Sequence, residues 1–169
     1  MGLLPDVRPL TEPETALARS VFLDTLPYGI VFIANDLGIG GRPWTESTLG
    51  GYQIHFGDLG YRDATASIVW PGFGPINAVF IHELTHVWQG SHSSFHEGYM
   101  IRSGLSQAWA WLTNSDAYNY TAGSNWSDYN VEQQAHIVED WFKNGKKETD
   151  PLFRYIRDPI RSQPYWRPS

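Results

Sequence analysis

The stretch FIHELTHVWQ (80–89) decides how this sequence is interpreted. Gly90 follows it directly, so the sequence predicts a helix from about Ile76 to Gln89. His82 and His86 are four residues apart, which places both imidazoles on one face of that helix, one turn from each other. Apolar residues beside the two histidines predict that the helix is buried along one stripe: Phe80, Ile81, Leu84, Val87 and Trp88.

Two imidazoles in this arrangement can bind one metal ion together. Glu83 is displaced by about 100° around the helix axis, where its carboxylate would reach a water on the metal rather than the metal itself. Zinc lowers the pKa of such a water to about 7, and a carboxylate base then takes its proton as it attacks a carbonyl. The sequence has no cysteine, so any metal site must use histidines and carboxylates. The pattern therefore predicts a zinc metallohydrolase, with a peptidase as the leading activity.

A zinc site of this kind needs a third protein ligand, and the sequence offers two. His92 lies ten residues after His82, the spacing of the metzincin pattern HExxHxxGxxH, but Gln89 stands where that pattern requires glycine. Glu132 lies on the edge of the apolar face of a strongly amphipathic helix predicted from Tyr129 to Lys143. A glutamate from a downstream helix is the third ligand of gluzincin-type sites. The spacing leaves both candidates open.

The strings FIHELTHVWQ (80–89) and DYNVEQQAHIVEDWF (128–142) resemble a bacterial family of Vgr-related metallopeptidases. Those domains are associated with type VI secretion, either fused to VgrG spike proteins or encoded near them. The resemblance covers roughly residues 61–142 and does not clearly extend to the N-terminal third. The segment Ser91–His96, rich in histidine, departs from the family and keeps His92 open as an auxiliary ligand.

In that family the motif histidines and the glutamate of the DYNxEQQ string are the zinc ligands. The resemblance thus implies His82, His86 and Glu132 as metal ligands and Glu83 as the catalytic base. The fold it implies is a zincin-like α+β domain, in which the active-site helix packs under a short twisted sheet with further helices.

Elsewhere the sequence predicts one domain over residues 1–169 with local elements of both kinds. A capping box at Thr11-Glu12-Pro13-Glu14 predicts a helix that runs to about Asp24. The other predicted elements follow in chain order: strand Tyr28–Ala34, loop Asn35–Gly51, strands Tyr52–Phe56 and Ala66–Trp70, helix Tyr99–Leu112, loop Thr113–Asp128, a short helix from Asp150, and a tail from Pro159.

Composition and charge exclude several classes of function. Twelve Lys and Arg against 18 Asp and Glu give a net charge of −6, with no basic stripe for nucleic acid. No stretch approaches the ~20 apolar residues that span a bilayer. The N-terminus MGLLPDVRPL has neither the basic nor the apolar region of a signal peptide. Together with the resemblance, this implies a bacterial protein that is made in the cytoplasm and that a secretion system delivers if it acts outside the cell.

Secondary roles at the site have several candidates. A donor to a developing oxyanion could come from Tyr118, Tyr120, Tyr129 or His136. Glu139 could orient a ligand imidazole, although a solvated helix face is the favoured interpretation. The predicted strand Ala66–Trp70 ends close to the zinc helix and is the leading candidate for an edge strand that binds an extended peptide.

The functional prediction is a zinc-dependent peptidase that acts on a peptide or protein substrate. The resemblance adds a role as a secreted antibacterial effector with a VgrG-like spike as partner. One alternative is an amidase that cleaves peptidoglycan peptides by the same metal chemistry. The other is a non-catalytic binding or adaptor module that keeps a zincin fold. The intact Glu83 argues against that last alternative, because a structural metal site does not require this carboxylate.

Overall fold

The computed structural model describes residues 4–38, 40–92 and 119–165 of the chain. Strand β1 (Val7–Pro9) leads into helix α1 (Glu12–Phe22), which begins at the predicted capping box. The Thr11 hydroxyl accepts from the backbone N–H of Glu14, and the Glu14 carboxylate accepts from the N–H of Thr11 at 2.8 Å. The two bonds satisfy N–H groups that have no partner within the first turn of a helix.

Four strands form the main sheet. Strand β2 (Val31–Ala34) follows a 3₁₀ turn at Tyr28–Ile30, and β3 (Trp44–Thr48) and β4 (Gly51–His55) form a hairpin. The spatial order is β1-β2-β4-β3, with β2 and β4 parallel and the outer pairs antiparallel. Both central strands contribute to the core, since Val31, Ile33 and Ala34 of β2 and Ile54 of β4 are fully buried.

The prediction of a loop over Asn35–Gly51 is wrong, because this segment contains β3. Within the described residues β3 pairs with β4 alone, so it is an edge of the sheet. Its sequence WTEST carries polar residues, as edge strands commonly do. The hairpin returns through Gly51 at φ +145°, where a Cβ atom would lie 2.1 Å from the Ile30 carbonyl oxygen.

A short helix and a small hairpin follow the main sheet. Helix α2 (Gly57–Arg62) precedes β5 (Val69–Trp70) and β6 (Gly74–Pro75), which pair in a separate two-stranded sheet. The predicted strand Ala66–Trp70 thus forms a strand only over its last two residues and does not join the main sheet.

Two long helices form the centre of the fold. Helix α3 (Ile76–His92) continues past Gly90, where the sequence predicted its end, and α4 (Val131–Lys143) begins with a capping box at Asn130. The two helices pack against each other, and α3 also packs against β3. Their contact faces supply much of the core: Phe80, Ile81, Leu84 and Val87 from α3, and Ile137, Val138 and Trp141 from α4.

The C-terminal segment is part of the packed structure. Helix α5 (Phe153–Tyr155) continues into a π-helical turn at Ile156–Ile160. The predicted tail from Pro159 is wrong: Ile160 is fully buried, and the Arg161 guanidinium donates to the Val21 carbonyl at 2.9 Å.

The remaining segments are a loop and the part of the chain that is not described. The loop at residues 119–130 contains a 3₁₀ turn at Trp126–Asp128, while the predicted helix Tyr99–Leu112 lies outside the described residues. Across the described ranges, no helix combines the length and apolar character needed to cross a membrane. The fold is mixed α+β, as predicted.

Candidate metal centre

The structure brings together His82 and His86 from α3 with Glu132 from α4. His82 Nε2 lies 3.2 Å from Glu132 Oε2, and His86 Nε2 lies 3.5 Å from Glu132 Oε1. One ligand atom from each residue lies within 4.8 Å of the other two. Zinc held tetrahedrally at about 2.0–2.1 Å separates its ligand atoms by about 3.3 Å. The three side chains could therefore hold a metal ion.

Charge complementarity accompanies this geometry. The three side chains are only 12–15% exposed. Burial alone would lower the pKa of His82 and His86, but the neighbouring Glu132 carboxylate raises both, that of His82 well above 6.5. Burial would raise the pKa of Glu132, but the two imidazoles hold it well below 4.5. The pocket thus stabilises an ionised Glu132 carboxylate beside positively charged imidazoles. A bound divalent cation can supply the same positive charge when the imidazoles are neutral.

A buried carboxylate orients His82 from its other side. His82 Nδ1 lies 3.1 Å from Glu139 Oε2, and Glu139 is only 5% exposed. The Lys143 ammonium lies 3.2 Å from Glu139 Oε1 and balances its charge. The favoured interpretation of Glu139 as part of a solvated helix face is therefore wrong. A carboxylate at Nδ1 directs Nε2 of the same ring toward Glu132.

An amide orients His86 in the corresponding way. His86 Nδ1 lies 2.8 Å from Gln89 Oε1, and Gln89 Nε2 donates to the Val131 carbonyl at 2.9 Å. Gln89 occupies the position at which the metzincin pattern requires glycine. The sequence did not predict a contact for Gln89, which links α3 to the first turn of α4.

The His92 side chain contacts groups outside the candidate metal centre. Its Nδ1 lies 2.9 Å from the Trp88 carbonyl oxygen and its Nε2 lies 2.9 Å from that of Gln163. Its ring stacks on Trp88 at 4.5 Å. Among the described residues, two His/Glu groups have atoms close enough to share a metal: His82, His86 and Glu132, and His82, His136 and Glu139. His92 belongs to neither group. The structure thus places Glu132, and not His92, with the motif histidines.

Glu83 lies on the same helix turn but outside the ligand group. Its side chain is only 5% exposed, and Oε2 accepts a hydrogen bond of 2.7 Å from Thr45 Oγ1. Its negative charge also contributes to the raised pKa of His82 and His86. The contact from Thr45 was not predicted, because Thr45 lies in β3, within the segment that was predicted to be a loop.

The candidate oxyanion donors differ in their contacts and in how close they lie to the ligand set. The Tyr120 hydroxyl donates to Asp140 at 2.8 Å, and the buried Tyr129 hydroxyl donates to the Thr121 carbonyl at 2.7 Å. His136 has its ring 4.9 Å from that of His82, and burial together with the positive charge of His82 lowers its pKa. Tyr118 lies outside the described residues. Of the three described candidates, His136 is the one beside the ligand set.

Comparison with known proteins identifies a relative of this chain among type VI secretion proteins. It is 33% identical over 141 residues to the type VI secretion system spike protein VgrG2b of Pseudomonas aeruginosa. The chain is related to a VgrG spike protein. The match covers 80% of this chain but 13% of the relative, so the chain spans about an eighth of that protein's length. No family model and no solved structure matches the chain. The predicted Vgr relationship is confirmed, while the peptidase activity stays a prediction.

Proposed function

We propose that this chain is a zinc-dependent peptidase with a zincin-like active site. The observation that carries the proposal is the convergence of His82, His86 and Glu132, with ligand atoms within 4.8 Å of one another, on a helix in which Glu83 directly follows His82. These three residues would hold the zinc, and catalytic zinc sites with three protein ligands keep a fourth position open. When bound, zinc polarises the scissile carbonyl and makes water a competent nucleophile near neutral pH.

Glu83 is the residue that we assign to proton transfer. Thr45 occupies its Oε2 atom, so we assign Oε1 as the atom that accepts the proton of the attacking water. The same carboxyl group then passes this proton to the nitrogen of the leaving amine. A buried position suits this role, because a carboxylate held by a neighbouring hydroxyl has few alternative orientations.

Strand β3 is the proposed peptide-binding edge, in place of residues 66–70. An extended peptide can add to an exposed sheet edge through backbone hydrogen bonds. Strand β3 is such an edge within the described residues, and its Thr45 contacts the proposed base. In contrast, the carbonyls of Ala66 and Ile68 already accept from the backbone at the start of α3, at 2.9 and 3.0 Å. A peptide along β3 would pass directly beside Glu83.

We further propose that the chain acts as an effector carried by a type VI secretion spike. The relationship to VgrG2b supports this, since the match covers most of this chain and a small part of the relative. The proposed partner is therefore a VgrG-like spike protein. Co-purification of the two from a bacterium that produces both would support the proposal, and failure to associate with any such spike would contradict it.

The decisive experiment compares the zinc-loaded chain with Glu83→Gln, which keeps the size of the side chain and removes the base. Zinc content is measured by mass spectrometry, and hydrolysis is followed with a library of unstructured fluorogenic peptides. We expect one zinc per chain in both proteins and hydrolysis reduced by about 10²–10⁴-fold in the variant. A chain without zinc, or one whose hydrolysis survives in Glu83→Gln, would contradict the proposal.

The same comparison separates the alternative functions. Isolated peptidoglycan is added as a second substrate for the amidase reaction. Cleavage of peptidoglycan peptides without cleavage of free peptides would assign the site to the amidase. Zinc binding without hydrolysis of either substrate would indicate a binding module.

A further inference from the structure

We propose that Gln89 is a positioning residue for His86, acting with Gln134 as an amide relay that keeps His86 Nε2 directed at the metal position. The relay consists of these two side-chain amides, which connect α3 to the N-terminal turn of α4. The inference rests on the proposed function in one respect, namely that His86 binds zinc through Nε2.

The orientation of the relay begins at backbone carbonyls. Gln134 Nε2 lies 2.9 Å from the carbonyl oxygen of Trp126 and 3.3 Å from that of Tyr129. A carbonyl oxygen can only accept hydrogen bonds, so the NH₂ end of Gln134 must face these two atoms. The oxygen end of Gln134 therefore faces Gln89.

The Gln89 amide is oriented by its acceptors in the same way. Its Nε2 lies 3.0 Å from Gln134 Oε1 and 2.9 Å from the Val131 carbonyl oxygen, so both of its N–H groups have acceptors. A flipped amide would set Gln89 Oε1 against two other acceptors. Gln89 Oε1 must consequently face His86 Nδ1, at 2.8 Å.

This arrangement determines which nitrogen of His86 carries the proton in the neutral ring. Because Gln89 Oε1 is an acceptor, Nδ1 must donate, and the lone pair is left on Nε2. Nε2 is the atom that lies 3.5 Å from Glu132. Backbone carbonyls in residues 126–131 thereby direct the metal-binding atom of a histidine on another helix.

The relay also ties two ligands together. Val131 and Gln134 flank Glu132 on the first turn of α4, so the bonds from Gln89 hold this turn at a set distance from His86. The amide does this without adding charge to a pocket that already contains the carboxylates of Glu83, Glu132 and Glu139. The glycine of the metzincin pattern has no side chain with which to form this link.

The test measures zinc affinity of the full chain by competition with a chromophoric chelator. Gln89→Leu removes the amide that contacts His86 and keeps a side chain of similar size. Gln134→Leu removes the second amide of the relay. The matched control is Gln53→Leu, because the Gln53 side chain contacts His55 in the main sheet and lies outside both helices that the relay connects. We expect zinc affinity about 10–100-fold weaker in Gln89→Leu, a smaller loss in Gln134→Leu, and parent-like affinity in the control.

A second readout separates positioning from a general loss of structure. In the zinc-loaded parent and control, nitrogen-edited NMR should show a slowly exchanging His86 Nδ1–H signal, which should be lost or exchange rapidly in Gln89→Leu. Unchanged affinity and an unchanged signal in Gln89→Leu would overturn the inference. If Gln89→Leu does not fold, parent-like results in Gln134→Leu would overturn it. Absence of zinc binding in the parent would instead contradict the proposed function.

Discussion

The hydroxyl of Thr45 lies 2.7 Å from Glu83 Oε2 and 3.3 Å from the Glu83 carbonyl oxygen, so an edge strand holds the motif glutamate from outside its own helix. Both residues are buried, with Thr45 3% and Glu83 5% exposed. This contact sets the position of β3 relative to the proposed base. A displacement of β3 would therefore change both peptide binding and proton transfer.

Removal of the Thr45 hydroxyl should slow hydrolysis without loss of zinc. Thr45→Val keeps the shape but deprives the buried Glu83 oxygen of a donor, which should cost about 1–3 kcal/mol of stability. We expect kcat about 10-fold lower and zinc content unchanged, with Thr45→Ser close to the parent in kcat. A parent-like kcat in Thr45→Val would show that the contact does not serve catalysis.

The choice of third ligand can be tested by zinc affinity alone. Glu132→Ala removes a candidate ligand and should weaken zinc binding by at least about 100-fold. Loss of a coordinating group lowers zinc affinity more than loss of a residue that only contacts a ligand. His92→Ala should bind zinc like the parent, because both ring nitrogens of His92 contact backbone carbonyls outside the site. The reverse pattern would indicate a metzincin-like site.

Glu139 should support zinc binding through His82. Glu139→Gln removes the charge beside His82 Nδ1, and we expect zinc affinity about 10–100-fold weaker by chelator competition. Asp140→Asn is the matched control on the same helix, since Asp140 contacts Lys143 and Tyr120 and not the motif histidines. Equal affinities in the two variants would show that Glu139 does not orient His82.

Glu14 should contribute to stability in a pH-dependent manner, away from the metal centre. Burial raises its pKa, but hydrogen bonds from Arg8 and from the N–H groups of Thr11 and Ala64 outweigh burial and hold it below 4.5. A carboxyl group whose pKa is lower in the folded state stabilises fully above its unfolded pKa. That contribution is lost as the pH falls through its folded pKa.

Glu14→Gln should therefore be less stable than the parent at about pH 7, and the difference should shrink below about pH 4. Urea denaturation of the zinc-free proteins at several pH values measures the difference in unfolding free energy between Glu14→Gln and the parent. The titration of the metal centre is common to both proteins and cancels in this difference. A difference in unfolding free energy that does not change with pH would contradict this assignment.

The elements predicted correctly from sequence are those whose signals are local. The capping box at Thr11 and Glu14 forms as predicted, because its two hydrogen bonds lie within one turn. The one-turn spacing of His82 and His86 is likewise a property of the helix alone. The amphipathic pattern of residues 129–143 predicted α4, which begins two residues later at Val131, and it placed Glu132 on the edge of the apolar face.

The strand β3 was missed for an equally physical reason. Its residues Trp44 to Thr48 include one large apolar side chain, because an edge strand at the surface needs few. Its strand conformation comes from pairing with β4, which the local sequence does not encode. The contact between Thr45 and Glu83 could not be predicted without that pairing.

By itself, the sequence determined which functional groups are available for a metal site. They are two histidines and a glutamate on one helix turn and carboxylates on a second amphipathic helix, and there is no cysteine. Only the tertiary structure decided which of these meet. Glu132 lies 50 residues from His82 in sequence and 3.2 Å from it in space, whereas His92, on the same helix, faces Trp88 and Gln163. Helix spacing follows from backbone geometry over a few residues, but the choice between distant ligands depends on how α3 and α4 pack.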